Sequence, residues 1–373
     1  MSKKNLLALC LIIFCCGFVY SQEESEIAEK LAKKPDTTKR KIQFNGYPYA
    51  FYTPETKFAA GAGGIFVFYT SQDEKISPSK VGFGGYYSSN KQYKISVNPV
   101  IYFSEDKIFV QAPVSFGHFI DKFWGVGNST PETGSEAYVK DVFTFSLTVQ
   151  VPPVWFSAHR TGLIFEFDRT VMDDKKDNDY LNNDLVAGSN GGNIYGIGTD
   201  LVWDTRDNIF FPNKGNYQYF KFVAFPKWGD YVFTFLEMDV RHYTAFAPDK
   251  VLAGNIYMAA VQGDVPFYKL PALGGSKRMR GYFMGRYRDK MYALLQMEYR
   301  QYFWKRFGYV VFAGLGDVAP SLVKFRLGDL KYSFGAGTTA SILVSKKLFD
   351  RHRPKSDSSP QERSDHSRLQ NEP

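Results

Sequence analysis

Hydrophobic and polar residues alternate along most of this chain with a period of two. In the stretch 92–103, for example, Tyr93 and Ile95 alternate with Lys94 and Ser96. Successive side chains of a β-strand point to opposite faces, so this period predicts a strand with one apolar and one polar face. Fourteen runs of this kind are predicted as strands, at 47–53, 57–69, 79–88, 91–103, 108–119, 138–150, 154–169, 192–205, 216–226, 231–246, 250–263, 289–303, 307–318 and 331–346.

Alternation alone does not distinguish a soluble sandwich from a membrane barrel, because both can have one apolar and one polar face. The runs are commonly 11 to 16 residues long, whereas globular strands have a mode of roughly 5 to 6 residues and membrane strands need about 9 to 11. Many runs begin or end in Tyr, Phe or Trp, as an interfacial girdle requires. Polar faces carry rows of opposite charge, such as Glu237, Asp239 and Arg241. The sequence therefore predicts an all-β fold, a transmembrane antiparallel β-barrel.

The lengths of the connections predict the orientation of this barrel. The long connections 120–137, 170–191 and 264–288 all follow odd-numbered runs, and those after even-numbered runs have ten residues or fewer. Bacterial barrels have short periplasmic turns and long extracellular loops. Both ends of the barrel are therefore expected in the periplasm.

The two ends of the chain have a different composition from the barrel region. Residues 1–21 have a basic start, an apolar core and a small or polar end, which predicts a cleaved signal peptide; a membrane-anchor helix is the alternative. Residues 22–43 are predicted to be a polar periplasmic segment, 44–346 the outer-membrane barrel, and 347–373 a charged, disordered tail. All three cysteines, Cys10, Cys15 and Cys16, lie in the leader, so no disulfide or cysteine metal site is expected after cleavage.

Composition and charge exclude several classes of protein. Aromatic residues make up 17% of the chain, yet no stretch after Tyr20 approaches the roughly 20 apolar residues of a spanning helix. The net charge of +8 arises largely from the two ends of the chain, and the basic residues form no nucleic-acid platform. The expected partners are outer-membrane lipid and lipopolysaccharide, with other outer-membrane proteins as an open alternative, and nucleic acid is not expected.

The segment 270–290, LPALGGSKRMRGYFMGRYRDK, carries the most informative motif. Its core, Met279, Arg280, Gly281 and Tyr282, places a cation beside a residue that can adopt positive φ. Here the sequence resembles the BamA/TamA superfamily of outer-membrane assembly barrels, also called the bacterial surface antigen family. Three further segments resemble the same family in order, and together they cover about 300 residues: YPYAFYTPETKFAAG, FWGVGN and WDTRDNIFFPNKG.

The resemblance implies roles for particular residues. It implies that the loop folds back into the lumen and that Arg280 pairs there with Glu298 on the following strand; an arginine that faces water is the alternative. The family's second acceptor belongs to a Phe-x-Asp pattern, but this chain has Gly314 in place of that aspartate. Asp317, three positions later, is the candidate for the second lumen acceptor.

Two departures from the family bear on function. The 22–43 segment is too short for the periplasmic repeat domains of full-length members, so a short member without them is expected. The family barrel has sixteen strands, and the last two should follow residue 345, where the alternation ends. We interpret this loss of pattern as a truncated or frame-shifted reading frame.

The candidate functions follow from the barrel and its loop. The first is a structural or assembly-linked role in the bacterial outer membrane, with the loop locked by Arg280. The alternative is a passive channel whose in-folded loop sets selectivity, and a lipid-modifying enzyme is a third class. No catalytic residue, metal site or cofactor is predicted, since the histidines are scattered and His242 falls on an apolar strand face without a recognisable nucleophile.

Overall fold

The fold is built almost entirely of antiparallel strands. A computed structural model describes residues 42–340, apart from 54–55, 72–75, 132–135, 154–157, 176–177, 209–210, 276 and 305–306. The strands are β1 (Gln43–Thr53), β2 (Lys57–Phe68), β3 (Ser79–Ser88), β4 (Tyr93–Phe103), β5 (Ile108–Gln111), β6 (Val114–Phe123), β7 (Glu136–Val151), β8 (Arg160–Asp174), β9 (Gly191–Asp204), β10 (Gly215–Phe225), β11 (Phe233–Ala247), β12 (Lys250–Gly263), β13 (Ala272–Leu273), β14 (Tyr287–Arg288), β15 (Met291–Trp304), β16 (Phe307–Ala319) and β17 (Lys331–Ala340). A short helix, α1 (Asp179–Asn182), and 3₁₀ turns at Phe267–Lys269, Leu322–Lys324 and Leu327–Asp329 complete the described elements.

Fifteen of these strands form one sheet in which chain neighbours pair. β5 and β6 share one position between β4 and β7, in a common register. Proline lacks the N–H that a ladder needs, which explains the break at Pro113. The Pro113 carbonyl still accepts a hydrogen bond from the Ser146 N–H at 3.0 Å. Within the described residues the sheet therefore has fourteen strand positions, which confirms the predicted number, and β13 and β14 form a separate small hairpin.

The connections alternate in length around the sheet. Those that follow odd-numbered positions include the four longest, 124–135, 175–190, 264–290 and 320–330, whereas β11 and β12 are joined by 248–249 alone. The predicted leader and the tail 347–373 lie outside the described residues, as do 22–41 and the expected site of a missing strand pair after residue 345. No helix among the described residues is both long and apolar enough to cross a membrane.

The two faces of the strands differ as the alternation predicts. On β15, Leu295 and Met297 are about half exposed, at 48% and 49%, while Leu294 between β12 and β16 is buried at 3%. On β9, Ile197 is 50% exposed, whereas Asp200, three residues later and on the opposite face, is 2% exposed. The exposed apolar side chains thus project outward, whereas the interior holds charged side chains together with buried apolar ones, an arrangement that suits a lipid-facing exterior.

Apolar packing fills one part of this interior. Buried side chains from β8 to β12 meet the loop that follows β12, and the Phe225 and Phe233 rings stack at 4.2 Å. A second cluster joins β12, β15 and β16 to the loop residues Leu273 and Met279, which are both fully buried. Burying a side chain of this size contributes about 1.5 to 3 kcal/mol. The loop is therefore part of the core.

Candidate functional site: the in-folded loop and its lumen contacts

A hairpin within the loop 264–290 brings its tip into the barrel. β13 pairs with β14, and the Gly275 N–H donates to the Tyr282 carbonyl at 3.1 Å. Gly274 has φ +114, and a Cβ there would lie 2.1 Å from the Phe283 carbonyl oxygen. Only glycine fits this position without strain, because its backbone is left-handed and another backbone segment approaches closely. The glycine pair at 274–275 thus allows the reversal that carries the tip into the lumen.

The tip is anchored by a buried methionine. Met279 is fully buried, and its Sδ lies 3.9 Å from the Ser333 Oγ on β17. A Cβ at Gly314 would be 3.6 Å from this sulfur, and one at Gly316 would be 3.3 Å away. The carboxylate of an aspartate at position 314 would extend beyond its Cβ into this crowded space. The substitution of glycine for the family's aspartate is therefore matched by the packing of Met279.

The structure brings Arg280 and Glu298 together. The Arg280 Nη2 donates to the Glu298 Oε2 at 2.7 Å, and the guanidinium carbon lies 3.4 Å from the centre of the Phe312 ring. The same carboxylate accepts a 2.7 Å bond from the Arg300 Nε through its other oxygen. Phe312 pairs directly with Glu298 across the β15–β16 ladder, which explains why both reach one cation. Glu298 is thus shared by one arginine from the loop and one from the wall.

Asp317 does not serve as the second acceptor for Arg280. Its carboxylate accepts a 3.1 Å hydrogen bond from the Asn128 Nδ2 and lies 3.9 Å from the Lys331 Nζ. Asp317 is five residues beyond Phe312 on β16, a separation of about 17 Å at roughly 3.4 Å per residue. The contacts of Asp317 in the structure are therefore with Asn128 and Lys331 rather than with Arg280.

A second loop arginine was missed by sequence reasoning. The Arg278 guanidinium lies 3.3 Å from the centre of the Tyr257 ring, and its Nη2 is 3.1 Å from Asp239 Oδ2 and 3.6 Å from Glu237 Oε1. Asp239, 3% exposed, is also held by Arg241 through two bonds of 2.9 and 2.6 Å. The i, i+2 spacing of the loop arginines and the row of charges on β11 were the available signals.

Both wall arginines extend this network toward the short turn 205–214. The Arg300 Nη1 donates to the Pro212 carbonyl at 3.4 Å, and its guanidinium carbon lies 4.9 Å from the centre of the Phe211 ring. Arg241 and Arg206 lie 5.3 and 4.4 Å from the same Tyr217 ring. Arginine suits such positions because its planar cation stacks on rings while its N–H groups bind carboxylates. Two series of contacts therefore connect the loop tip to the opposite end of the barrel.

The FWGVGN segment covers the outer part of the loop. The Gly127 N–H donates to the Arg288 carbonyl at 2.8 Å, and the Arg286 guanidinium donates to the Thr130 hydroxyl and carbonyl at 2.7 and 2.9 Å. Burial raises the pKa of the nearby Asp289 carboxyl above its ordinary value, because desolvation disfavours the charged form. The bonds described between this segment and the loop thus use carbonyl and hydroxyl acceptors.

The residues considered for catalysis occupy ordinary positions. His242 contacts the Asn216 Oδ1 and the Thr244 Oγ1, each at 2.7 Å. Among the described residues, no group of three or more His, Cys, Asp or Glu side chains is arranged to hold a metal ion. The candidate functional site is the set of contacts between the loop and the barrel wall.

An antiparallel sheet of fourteen positions with an apolar exterior, a charged interior and an in-folded loop defines a β-barrel of the outer-membrane class. Residues 78–339 match the model of the Omp85 superfamily domain, and the chain belongs to this superfamily. Omp85 barrels are found in the bacterial outer membrane, and members are generally transporters or assembly factors. The resemblance to BamA/TamA-type barrels that the sequence indicates is thereby confirmed.

Solved structures share the fold at low sequence identity. BamA from Haemophilus ducreyi lacking POTRA domains 1–3 has a TM-score of 0.55 and 14% identity, covering 80% of this chain and 63% of that one. CdiB from Acinetobacter baumannii gives 0.50 and 11%, covering 81% and 54%, and CdiB from Escherichia coli gives 0.50 and 11%, covering 80% and 56%. The chain thus spans less than two thirds of the length of these structures. No curated protein sequence matches it.

Proposed function

We propose that this chain is an assembly-linked outer-membrane barrel whose long loop is locked in the lumen by two arginines, Arg278 and Arg280. The observation that carries the proposal is that each arginine binds a wall carboxylate which a second, wall-borne arginine already holds. A hydrogen bond to a charged group contributes about 1.5 to 3 kcal/mol. The two contacts together outweigh what a single surface pair could provide.

The sheet order supports a site for client strands. β1 and β17 stand at the two ends of the hydrogen-bonded order of the described residues. Phe44 on β1 is 63% exposed and Phe334 on β17 is 80% exposed. A strand at the end of a sheet can accept a further strand by β-augmentation. We place any insertase activity at this seam, where it would need no bond chemistry.

The surroundings follow from the same proposal. The apolar exterior would contact outer-membrane lipid and lipopolysaccharide, and Leu163 at 72% exposure is an example of the side chains available. Other outer-membrane proteins are the proposed clients or partners, and export by a cleaved signal peptide is proposed from residues 1–21.

The experiment is complementation in cells depleted of the native protein. The variant carrying both Arg278→Ala and Arg280→Ala is expected to leave client barrels unfolded, as seen by their heat-modifiable mobility on gels, and to expose the loop to protease. Lys277→Ala, at an exposed neighbouring position, is the matched control and should behave as the parent. Normal client folding upon complete depletion of the parent chain would exclude the assembly role.

A passive channel is the second candidate, and one observation favours it. A cavity of about 500 Å³ lies inside the barrel, lined by residues of β4, β6, β7, β8, β10 and β11 and by Lys269 of the loop. Purified protein in planar bilayers should then show conductance that rises when the two loop arginines are replaced. A silent bilayer with correctly folded protein would reject this candidate.

A further inference from the structure

The interior cavity has a polar wall that the loop does not occupy. Its volume is about 500 Å³, and one side is formed by polar residues of β4, β6 and β7. These residues are Ser96, Asn98, Ser115, Thr144 and Ser146. The Ser115 and Thr144 hydroxyls contact each other at 2.8 Å. Hydroxyl and amide groups can donate to an anion without adding charge of their own.

The acidic groups of the cavity are already neutralised. Glu166 on β8 forms an ion pair with Lys221, and Asp168 accepts a 2.7 Å bond from the Lys269 Nζ of the loop. The charged residues that line the cavity are these two pairs and Lys94. The lining therefore carries one positive charge that no carboxylate of the lining balances.

The positions around Lys94 contain no acidic residue. On its own strand, Ser96 shares its face, and Gln92 comes directly before the strand. Across the ladders it pairs with Tyr86 on β3 and Gly117 on β6. Lys94 forms no ion pair within 4.0 Å with any residue in the described part of the chain.

Other carboxylates on the lining strands have partners of their own: Asp121 on β6 forms an ion pair with Lys140, and Glu237 on β11 lies 3.6 Å from the Arg278 guanidinium of the loop. Asp141 on β7 is three residues from Thr144, so its side chain points away from the cavity. It is bound there by the His118 Nδ1 at 2.7 Å. Each of these carboxylates therefore contacts a residue other than Lys94.

We propose that this cavity is a selectivity site for small anions, in which Lys94 supplies the charge and the neighbouring hydroxyls supply neutral donors. The charge attracts the anion, and the hydroxyl wall replaces part of its hydration shell. The site itself does not depend on the assembly role. Its use in transport rests on the second candidate function, the channel.

The local potential can be measured without any conductance. In a Ser96→Cys variant, the thiol is two residues from Lys94, about 7 Å along the strand, and the parent chain, whose cysteines lie at 10, 15 and 16, gives the background rate. Reaction rates with sulfonate-bearing and ammonium-bearing methanethiosulfonates are normalised to those of a small free thiol. The normalised ratio should favour the anionic reagent and fall roughly tenfold when Lys94→Glu is added.

The controls separate charge at this site from charge elsewhere. Lys122→Glu makes the same change of net charge at an exposed position outside the cavity lining and should leave the ratio unchanged. If Lys94→Glu does not fold, as judged by heat-modifiable mobility, Lys94→Gln takes its place. This variant keeps most of the side chain but loses the charge, and it should give an intermediate ratio. A ratio that is insensitive to both substitutions at position 94 overturns the proposal.

Bilayer recordings in a tenfold KCl gradient test the use of the site. The parent should show a reversal potential of anion-selective sign, and Lys94→Glu should shift it toward cation selectivity. If the thiol reacts preferentially with the anionic reagent but the protein shows no conductance in bilayers, the anion site is supported and the channel function is excluded. Conductance with an unaltered reversal potential in Lys94→Glu would overturn Lys94 as the selectivity determinant.

Discussion

Two parts of the barrel wall have the same strand alternation but different interiors. Between β10 and β16, carboxylates and arginines of the wall hold the loop, and apolar side chains pack against it. Between β4 and β7, Phe267 of the loop packs only near the strand ends, against Phe123 and Tyr138, and the rest of the interior face has hydroxyl and amide groups that border a cavity. The difference indicates that a polar lumen face binds the loop only where its charged side chains form ion pairs with loop residues. Where the partners are absent from the lining, water or solute can occupy the space.

The largest effect is expected from blocking the loop reversal itself. Gly274→Ala places a Cβ 2.1 Å from a carbonyl oxygen at φ +114, and the left-handed backbone alone costs about 1 to 2 kcal/mol. The loop should lose its protease resistance, because its tip would no longer reach the wall between β10 and β16. The interior face of that wall should then be as accessible as the wall between β4 and β7. Gly254→Ala, where a Cβ meets nothing within 4 Å, is the matched control. Equal protease resistance in both variants would contradict the role given to Gly274.

A moderate effect is expected from the Arg280–Glu298 pair. A double-mutant cycle of Arg280→Ala and Glu298→Gln, measured by the free energy of protease-accessible loop opening, should give a coupling of about 1 to 3 kcal/mol. The single Glu298→Gln change should also weaken the hold of Arg300, since both arginines share this carboxylate. A coupling near zero would mean that the 2.7 Å contact does not hold the loop.

The smallest effect is expected from a substitution between β4 and β7. Ser115→Ala removes the 2.8 Å contact with Thr144, and a hydrogen bond of this kind contributes about 0.5 to 1.5 kcal/mol. Unfolding in urea should show at most that loss, while the loop keeps its protease resistance. If this change released the loop, the two parts of the wall would be energetically coupled, which would contradict their separate roles.

Much of the fold was accessible from the residues because a strand's period is local. The run 250–263 was predicted to its terminal residues, and the break at Pro113 did not hide the fifth position, since the residues on either side keep one register. The loop motif around Arg280 and its partner Glu298 were found through resemblance to a family. Arg278 and Asp239 were not paired in advance, because no periodic signal connects residues 39 positions apart on different elements.

The sequence by itself determined the barrel, its fourteen strand positions and the side of each strand that is polar, since side-chain direction follows from the position in the strand. Tertiary structure alone decided which polar groups meet. It placed Asp317 away from Arg280 and Gly314 beside Met279, and among the described residues that line the cavity it left Lys94 without a carboxylate partner. The physical reason is that pairing across a lumen depends on the path of the loop and on strand register, and neither is encoded in the local alternation.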